Sequence, residues 1–348
     1  MKKIVALVLA MVLGISMIGC SSNNSVATVN GEGIPLEYYK IYTNWTRLGY
    51  EASYGFTSST WETEMEDQTT SSSSDSSETS GKSNSSEKTT YWDNFKSQVL
   101  QAMEQSEVIY QKAKEVKVEP TDKEVQEQVD DFNKSINSND TTKEQAKKAG
   151  ITDKFLTYIF TRELANSAYQ EYFNKNTKVD DATLKKEYES NKQAYNTVTA
   201  SHILISTQDS DGKELSAKKK AEAKKKAEEV LQKAKNGEDF AKLAKKYSED
   251  TSNAENGGEL GAFTYPQMVE EFSKAAFKLN KGDISDIVET TYGYHIIKVT
   301  DKADTFDAVK DSVKTAVLST KYSEQVQKLF DDAKIDVNEK ELKSVSYK

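Results

Sequence analysis

Two segments decide the fold of this chain: Gly257-Gly258-Glu259-Leu260-Gly261-Ala262-Phe263 and Gly293-Tyr294-His295-Ile296-Ile297-Lys298-Val299. They lie in a region, 197 to 301, that begins with a strand. Because side chains alternate across a strand, one face of it carries Val198, Ala200, His202 and Leu204. The periodicity then changes to helix and returns to strand near the second segment. This order predicts a small domain of the α+β class.

A lysine-rich helix follows the first strand. Its expected cap is Ser216, it runs to about Lys235, and Gly237 ends it. Apolar residues at helical spacing form its inner face: Ala223, Ala227, Val230, Leu231 and Ala234. The lysines are expected to face solvent.

The composition bounds the possible functions. The 348 residues are 36% hydrophobic and 30% charged, enough for a buried core in about two domains. The formal net charge of -9 argues against a general electrostatic affinity for nucleic acid. One cysteine and two histidines exclude a disulfide framework and a metal site rich in thiolate or imidazole. We expect no metal and no cofactor.

The N-terminus has the pattern of a secretory signal peptide over residues 1 to 19. Lys2 and Lys3 precede an uncharged run of 15 residues, from Ile4 to Ile18, which is short for a membrane-spanning helix. The stretch Ser16-Met17-Ile18-Gly19-Cys20 resembles the lipobox of bacterial lipoproteins. That resemblance implies cleavage before Cys20 and lipidation of its thiol. The alternative is an ordinary secreted protein.

Residues 20 to 196 are expected to form a mainly helical domain. A strand at 26 to 29 leads through Asn30-Gly31, a turn-forming pair, to a helix that starts near Pro35. The segment from Thr69 to Thr90 holds ten serines and five threonines in 22 residues, which predicts a disordered loop.

Further helices are expected beyond Tyr91, at a capping box of Thr121 and Glu124, between Ile151 and Phe173, and from about Ala182 to Tyr195. Two interpretations of their apolar stripes stay open. The stripes form a helical core, or part of them stays exposed as a cradle for unfolded chains. The residues concerned are Phe95, Val99, Met103, Phe155 and Ile159.

Five motifs in register give the region 197 to 301 a family resemblance. In chain order they are Ser-His-Ile-Leu from Ser201, Tyr-Ser-Glu-Asp from Tyr247, the Gly257 to Phe263 segment, Gln-Met-Val-Glu-Glu-Phe from Gln267, and Gly-Tyr-His-Ile-Ile from Gly293. Together they resemble a parvulin-type peptidyl-prolyl cis/trans isomerase domain.

The flanks resemble the PrsA-type extracytoplasmic foldase lipoproteins, which are similar to the periplasmic chaperone SurA. This resemblance implies an α+β parvulin-like domain at 197 to 301, with a small antiparallel sheet, inserted in a mainly helical chaperone domain. Residues 302 to 348 would return as a helical segment and complete that chaperone domain.

The resemblance also implies the site residues. The catalytic network would consist of His202, Asp250, His295, Thr290 and Ser252. An apolar slot for the proline ring would be lined by Leu260, Phe263, Met268 and Phe272. The strands that carry the two histidines should be adjacent in the sheet.

The function implied is isomerisation and chaperoning of unfolded or partly folded secreted polypeptides with Xaa-Pro bonds. The protein would act at the extracytoplasmic face of the cell membrane, held by lipid on Cys20. The alternative is a non-catalytic holdase that uses the parvulin fold only to bind peptides. A solute-binding lipoprotein is disfavoured, because the chain lacks a two-lobed alternation of strands and helices. The sequence leaves the clients and the oligomeric state open, a homodimer included.

Overall fold

A computed structural model describes residues 24–65 and 89–347. The expected signal peptide, Cys20 and residues 69 to 88 of the serine-rich loop lie outside the described residues. The chain divides into two compact units. The first, which we call the helical unit, comprises the described residues up to Thr177 and those from Lys321 onward. The second, the sheet unit, is Lys178–Thr320.

The helical unit contains three strands, with bounds β1 Ser25–Val29, β2 Glu32–Pro35 and β7 Ile335–Val337. Its helices before residue 177 are α1 Leu36–Tyr54, α2 Ser58–Glu62, α3 Tyr91–Glu115, α4 Asp122–Asn137, α5 Asp140–Ala149 and α6 Asp153–Asn176. After residue 320 it holds the last part of α12 Phe306–Asp331, and α13 Glu339–Ser344.

The predicted strand and turn at the start of this unit are confirmed. Asn30 has φ 51° and Gly31 has φ 90°, the left-handed values that a tight turn requires. The strands are ordered β2-β1-β7, all antiparallel. The strand β7 was not predicted, because three residues are too few for an alternation pattern. It pairs the end of the chain with its beginning.

The predicted capping box is confirmed at the start of α4, where Thr121 and Glu124 bond each other's backbone. The end of the serine-rich loop differs from the prediction. Thr90 accepts a hydrogen bond from the backbone of Asp93 and caps α3, so order begins before Tyr91. The helix α3 ends at Glu115, short of Pro120, and Lys117 turns the chain with φ 62°.

The apolar stripes proposed as an open cradle lie in the core. Phe95, Val99, Met103 and Phe155 are all buried, and Ile159 is partly buried against the cluster around Phe155. The core interpretation is confirmed, and the cradle interpretation is wrong for these residues. Helical spacing cannot separate the two, since both need an apolar stripe.

The sheet unit is built on one antiparallel sheet of order β4-β3-β6-β5. Its strands are β3 Thr197–Ser206, β4 Glu259–Thr264, β5 Val288–Thr290 and β6 Gly293–Ala303. Its helices are α7 Asp181–Ser190, α8 Lys192–Tyr195, α9 Ala217–Lys235, α10 Phe240–Tyr247, α11 Glu270–Ala276 and the first part of α12.

Both faces of this sheet are covered. One face carries Ile203, Ile205 and Ile296, which pack against α9 and α10. The other carries Val198, Ala200 and alternate residues of β6, which pack against α11. The predicted cap and inner face of α9 are confirmed, and so is the α+β class.

The sheet unit is wider than the segment 197 to 301. Leu184 and Tyr188 of α7 pack with Val309 and Val313 of α12 in one apolar cluster, at the end of the sheet where β3 begins and β6 ends. No helix among residues 24–65 and 89–347 is long and apolar enough to cross a membrane.

Candidate active site

Two neighbouring strands carry the two histidines, as predicted. In the pairing of β3 with β6, His202 lies opposite Ile297 and His295 lies opposite Leu204. The imidazole rings stack with centroids 5.3 Å apart and planes 21° apart. Both histidines are buried, with 4% and 5% of their surfaces exposed.

Hydrogen bonds join all five polar residues of the predicted network. Thr290 Oγ1 lies 2.9 Å from His295 Nε2, and His295 Nδ1 lies 3.1 Å from His202 Nδ1. His202 Nε2 lies 2.9 Å from Asp250 Oδ2. The other carboxylate oxygen, Oδ1, accepts hydrogen bonds from the backbone and the hydroxyl of Ser252, at 3.1 and 2.6 Å. The structure therefore brings these residues into one continuous chain of contacts.

The loop that holds Asp250 is fixed to β3 by backbone bonds. Glu249 donates its backbone N–H to the carbonyl of Leu204 at 2.7 Å, and Ser248 Oγ accepts from the backbone of Leu204 at 3.1 Å. The Glu249 carboxylate also accepts from the backbone of Ser206. The Ser-Glu-Asp sequence thus completes the hydrogen bonding of the part of β3 that β4 does not reach.

The glycine pair in the first deciding segment allows a close approach to His202. Gly258 has φ 79°, and its carbonyl accepts the backbone N–H of His202 at 2.8 Å. A Cβ at Gly258 would overlap the carbonyl oxygen of His202. A side chain at this position would displace the strand that carries His202.

The electrostatics of the network keep both imidazoles neutral. Burial lowers the pKa of His295 to about 3, with a further lowering from His202. Burial also lowers the pKa of His202, although Asp250 opposes the shift. Burial raises the pKa of Asp250, but hydrogen bonds from Ser252, Asn253 and His202 outweigh it, so that this pKa is lowered.

These charge states determine the direction of the hydrogen bonds. An ionised Asp250 only accepts, so His202 donates from Nε2 and leaves Nδ1 as an acceptor. His295 must then donate from Nδ1, and its Nε2 accepts the hydroxyl proton of Thr290. The Thr290 oxygen in turn accepts the backbone N–H of Tyr292 at 3.1 Å. Each ring nitrogen therefore has a partner within the network.

Asn253 belongs to the site and was not predicted. It is buried, and its Nδ2 lies 2.7 Å from Asp250 Oδ2 and 3.2 Å from His202 Nε2. The only sequence signal for Asn253 as a site residue was its position three residues after Asp250 in a polar turn. That pattern is common in turns without any site. Among the described residues, no group of three or more His, Cys, Asp or Glu side chains could hold a metal ion.

The four residues predicted to form the apolar slot lie in one cluster, on the face of the sheet that carries the histidines. Phe263 and Phe272 are each 3% exposed, whereas Leu260 and Met268 are partly exposed. The two phenylalanine rings lie 5.9 Å apart. Buried rings thus form the floor of an apolar surface, and the two partly exposed side chains remain accessible.

Phe272 connects this surface to the polar network. Its ring makes edge contacts with His202 at 5.8 Å and with His295 at 5.3 Å, at interplanar angles of 78° and 83°. The histidines therefore contact the apolar cluster through their rings, while their nitrogens are used within the network.

Comparisons with known proteins show the family of this chain. The family described as the PPIC-type PPIase domain matches residues 183–303. A foldase protein PrsA of Caldanaerobacter subterraneus subsp. tengcongensis is 33% identical over 95% of this chain and 94% of its own length. The chain belongs to the PrsA family of foldases. A PrsA of Clostridium tetani is 36% identical over 72% of this chain and 71% of its own. PrsA from Bacillus subtilis, a crystal structure, is 34% identical over 72% of this chain and 88% of its own, with a TM-score of 0.28.

Membership in the PrsA family and the PPIC-type domain identify the chain as a peptidyl-prolyl cis/trans isomerase with a foldase role. The matched residues, 183–303, contain the whole polar network and the whole apolar cluster described above. The match also begins within α7, before the segment 197 to 301 that the motifs delimited.

Proposed function

We propose that this chain isomerises Xaa-Pro bonds in polypeptides that have crossed the cytoplasmic membrane, acting from a lipid anchor on Cys20. The observation that carries the proposal is the contact of Phe272 with both histidines. It joins an apolar slot for the proline ring to a network of groups that hold fixed protonation states.

The slot acts on the resonance of the peptide bond. Rotation meets a barrier of roughly 18 to 20 kcal/mol because the C–N bond has partial double-bond character. A polar medium stabilises the planar amide, because the resonance form that keeps it planar separates charge. In the slot, Leu260 and Met268 cover the proline ring above the floor of Phe263 and Phe272. The planar state then loses solvation that the twisted state does not need, and the barrier falls.

The network acts by position rather than by proton transfer to the substrate. Both nitrogens of His202 and both of His295 are engaged within it, and the carboxylate of Asp250 accepts from Ser252, Asn253 and His202. Within this network, no histidine nitrogen is left free to act as a nucleophile. The role of the network is to hold two neutral imidazole rings against Phe272. The slot then contains no charge that would stabilise the planar amide.

The extracytoplasmic location rests on the sequence pattern at residues 1 to 20. Removing the signal segment with its two lysines leaves 45 basic against 56 acidic residues, a formal charge of -11. An anionic bilayer would repel such a chain, so membrane attachment would depend on the lipid. Slow prolyl isomerisation in newly translocated chains would supply its substrates, because the uncatalysed step takes tens to hundreds of seconds.

Two measurements test the proposal. The first is turnover of a short Xaa-Pro peptide by the full chain, which a holdase without catalysis would not show. The second is membrane fractionation of cells that express the chain and its Cys20→Ser variant. We expect the variant in the soluble extracytoplasmic fraction with unchanged turnover. A variant that stays on the membrane would contradict lipid anchoring.

A further inference from the structure

The side chain of Asn253 makes contacts that its place in the turn does not explain. The residue stands immediately before the 3-10 turn Ala254–Asn256, where an asparagine side chain ordinarily accepts a backbone hydrogen bond and caps the turn. Here it makes no capping bond. Its φ of -135° also lies outside the left-handed region that favours asparagine. The turn itself therefore does not require asparagine at this position.

Backbone bonds hold the turn in place. Ala254 donates its N–H to the carbonyl of Asp250 at 2.9 Å, and Gly258 donates its N–H to the carbonyl of Asn253 at 3.0 Å. The carbonyl of Gly258 in turn accepts the backbone N–H of His202. None of these bonds uses a side chain, so a substitution at position 253 leaves them available.

The amide of Asn253 is directed at the carboxylate of Asp250. Nδ2 lies 2.7 Å from Asp250 Oδ2, the oxygen that also lies 2.9 Å from His202 Nε2. The two nitrogens are 3.2 Å apart, as expected of two donors that share one acceptor. Turning the amide over would set its oxygen against the ionised carboxylate. The charge of Asp250 therefore determines the orientation of Asn253.

The other end of the amide shows that this orientation has a cost. Oδ1 of Asn253 is buried and has no hydrogen-bond partner among the described residues. A buried carbonyl oxygen without a partner lowers the free energy of unfolding. A residue that only filled the turn would not carry this cost. The bond from Nδ2 to Asp250 is the interaction that offsets it.

We propose that Asn253 is a positioning residue for isomerisation, which holds the ionised carboxylate of Asp250 in line with Nε2 of His202. The backbone and the hydroxyl of Ser252 fix Oδ1 of this carboxylate, while Asn253 and His202 fix Oδ2. The carboxylate then has one orientation, and His202 keeps its proton on Nε2. The proposal rests on the isomerase site described above and adds to it a residue that acts through Asp250 and His202.

The charged surroundings of the amide are simple. Among the described residues, the titratable groups within hydrogen-bond distance of it are Asp250 and His202. The ring of His295 lies beyond His202. Other charged groups on the turn, or on the helix α10 that packs against it, are exposed to solvent: Glu249, Glu255, Lys242, Lys245 and Lys246. A charge introduced at position 253 would therefore act first on Asp250 and His202.

The first test measures turnover of a prolyl peptide by the full chain and its Asn253→Ala variant. The substitution removes the amide and keeps the backbone of the turn. We expect kcat to fall about tenfold, the effect of one hydrogen bond to a charged group, with KM changed by less than about twofold because the slot is intact. Denaturant unfolding of the same preparations establishes that the variant is folded. A folded variant with wild-type kcat would overturn the proposal.

Asn253→Asp separates positioning from a purely structural role. Its carboxyl group would replace an amide nitrogen that lies 2.7 Å from Asp250 Oδ2, and two carboxyl groups this close resist ionising together. While the new carboxyl keeps its proton, it donates to Oδ2 as the amide does, so kcat should be near the wild-type value. When the pH rises and the proton leaves, the carboxylates repel each other and kcat should fall about tenfold. An equal loss at every pH would overturn the proposal.

Asn256 supplies the matched control, since it is an exposed asparagine at the end of the same turn. Asn256→Asp should keep the wild-type rate at every pH, and the same pH dependence in this variant would overturn the proposal. Nitrogen-15 NMR gives a second readout: the protonated form of Asn253→Asp should carry the proton of His202 on Nε2, and a proton on Nδ1 would overturn the proposal. Wild-type turnover no faster than buffer would instead refute isomerisation itself, so the two failures are distinct.

Discussion

Replacing Asp250 by asparagine should reverse the direction of the whole hydrogen-bond network. The amide oxygen can keep both donors of Ser252, but the amide NH2 then faces His202 Nε2, which must become an acceptor. His202 would carry its proton on Nδ1 and donate it to His295 Nδ1. His295 would in turn donate from Nε2 to Thr290. Asn253 can follow this change by turning its side chain, because its Oδ1 has no hydrogen-bond partner among the described residues.

The cost in stability follows from the hydrogen bonds to the carboxylate. Four donors contact Asp250, from His202, Asn253 and the backbone and hydroxyl of Ser252. A hydrogen bond to a charged group contributes about 1.5 to 3 kcal/mol and a neutral one about 0.5 to 1.5, so four bonds lose about 4 to 6 kcal/mol before the lower desolvation cost of a neutral amide is counted. A quarter of the Asp250 side chain is exposed, which reduces the loss. We expect the free energy of unfolding of Asp250→Asn to fall by about 2 to 3 kcal/mol.

The assay is nitrogen-15 NMR of the two histidine side chains, which distinguishes protonated from unprotonated ring nitrogens, together with denaturant unfolding. The wild type should show the proton on Nε2 of His202 and on Nδ1 of His295, and the variant should show the opposite tautomers. Wild-type protein with a proton on Nδ1 of His202 would refute the assignment of direction. So would a variant that keeps the wild-type tautomers.

Four further predictions concern the slot, the pH dependence of turnover, the pH dependence of stability and the limits of the sheet unit. Met268→Ala should weaken binding of a prolyl peptide by about 1 to 2 kcal/mol with little change in stability. Phe272→Ala, at a buried position, should also lower the free energy of unfolding by about 3 to 5 kcal/mol. Peptide titration and denaturant unfolding separate these effects, and equal stabilities of the two variants would contradict the difference in burial. The kcat/KM for a prolyl peptide should show no inflection near the ordinary histidine pKa of about 6.5, because both histidine pKa values are lowered in the native state. An inflection there would argue against neutral rings. Denaturant unfolding should show that the free energy of unfolding falls as the pH drops below about 6.5, because the unfolded chain binds protons that the native state does not. The slope should be up to about 1.4 kcal/mol per pH unit for each histidine. His295 would contribute from about pH 6.5 down to its native-state pKa of about 3. The fragment 178–320 should unfold cooperatively and retain turnover, whereas the fragment 197–301 should be less stable because it lacks the cluster around Val313. Equal denaturant midpoints for the two fragments would contradict the placing of the sheet unit's limits at residues 178 and 320.

The fold of the sheet unit was largely predictable because its sequence carries several independent signals. The alternation in β3 places His202 on one face, and the glycine pair predicts a close approach that the structure contains at Gly258. The resemblance to a known family supplied the remaining site residues. Asn253 was missed, since a polar residue in a polar turn has no distinctive pattern.

The helical unit was less predictable for a physical reason. Its helices and caps are local properties, so the capping box at Thr121 was found. Whether a stripe is buried depends on distant partners, so the sequence could not show that Phe95 and Met103 lie in the core. The pairing of β7 with β1 joins residues about three hundred positions apart and leaves no local signal.

The most direct test of the account is the rate of cis/trans exchange in a short Ala-Pro peptide, measured by exchange NMR with the full chain present. The account predicts a rate that rises in proportion to protein concentration. It also predicts that Met268→Ala lowers this rate, because the variant opens the slot without disturbing the network. A protein whose histidine signals show the intact network, yet which gives no rate above that of buffer, would contradict the claim that slot and network together form the isomerase site.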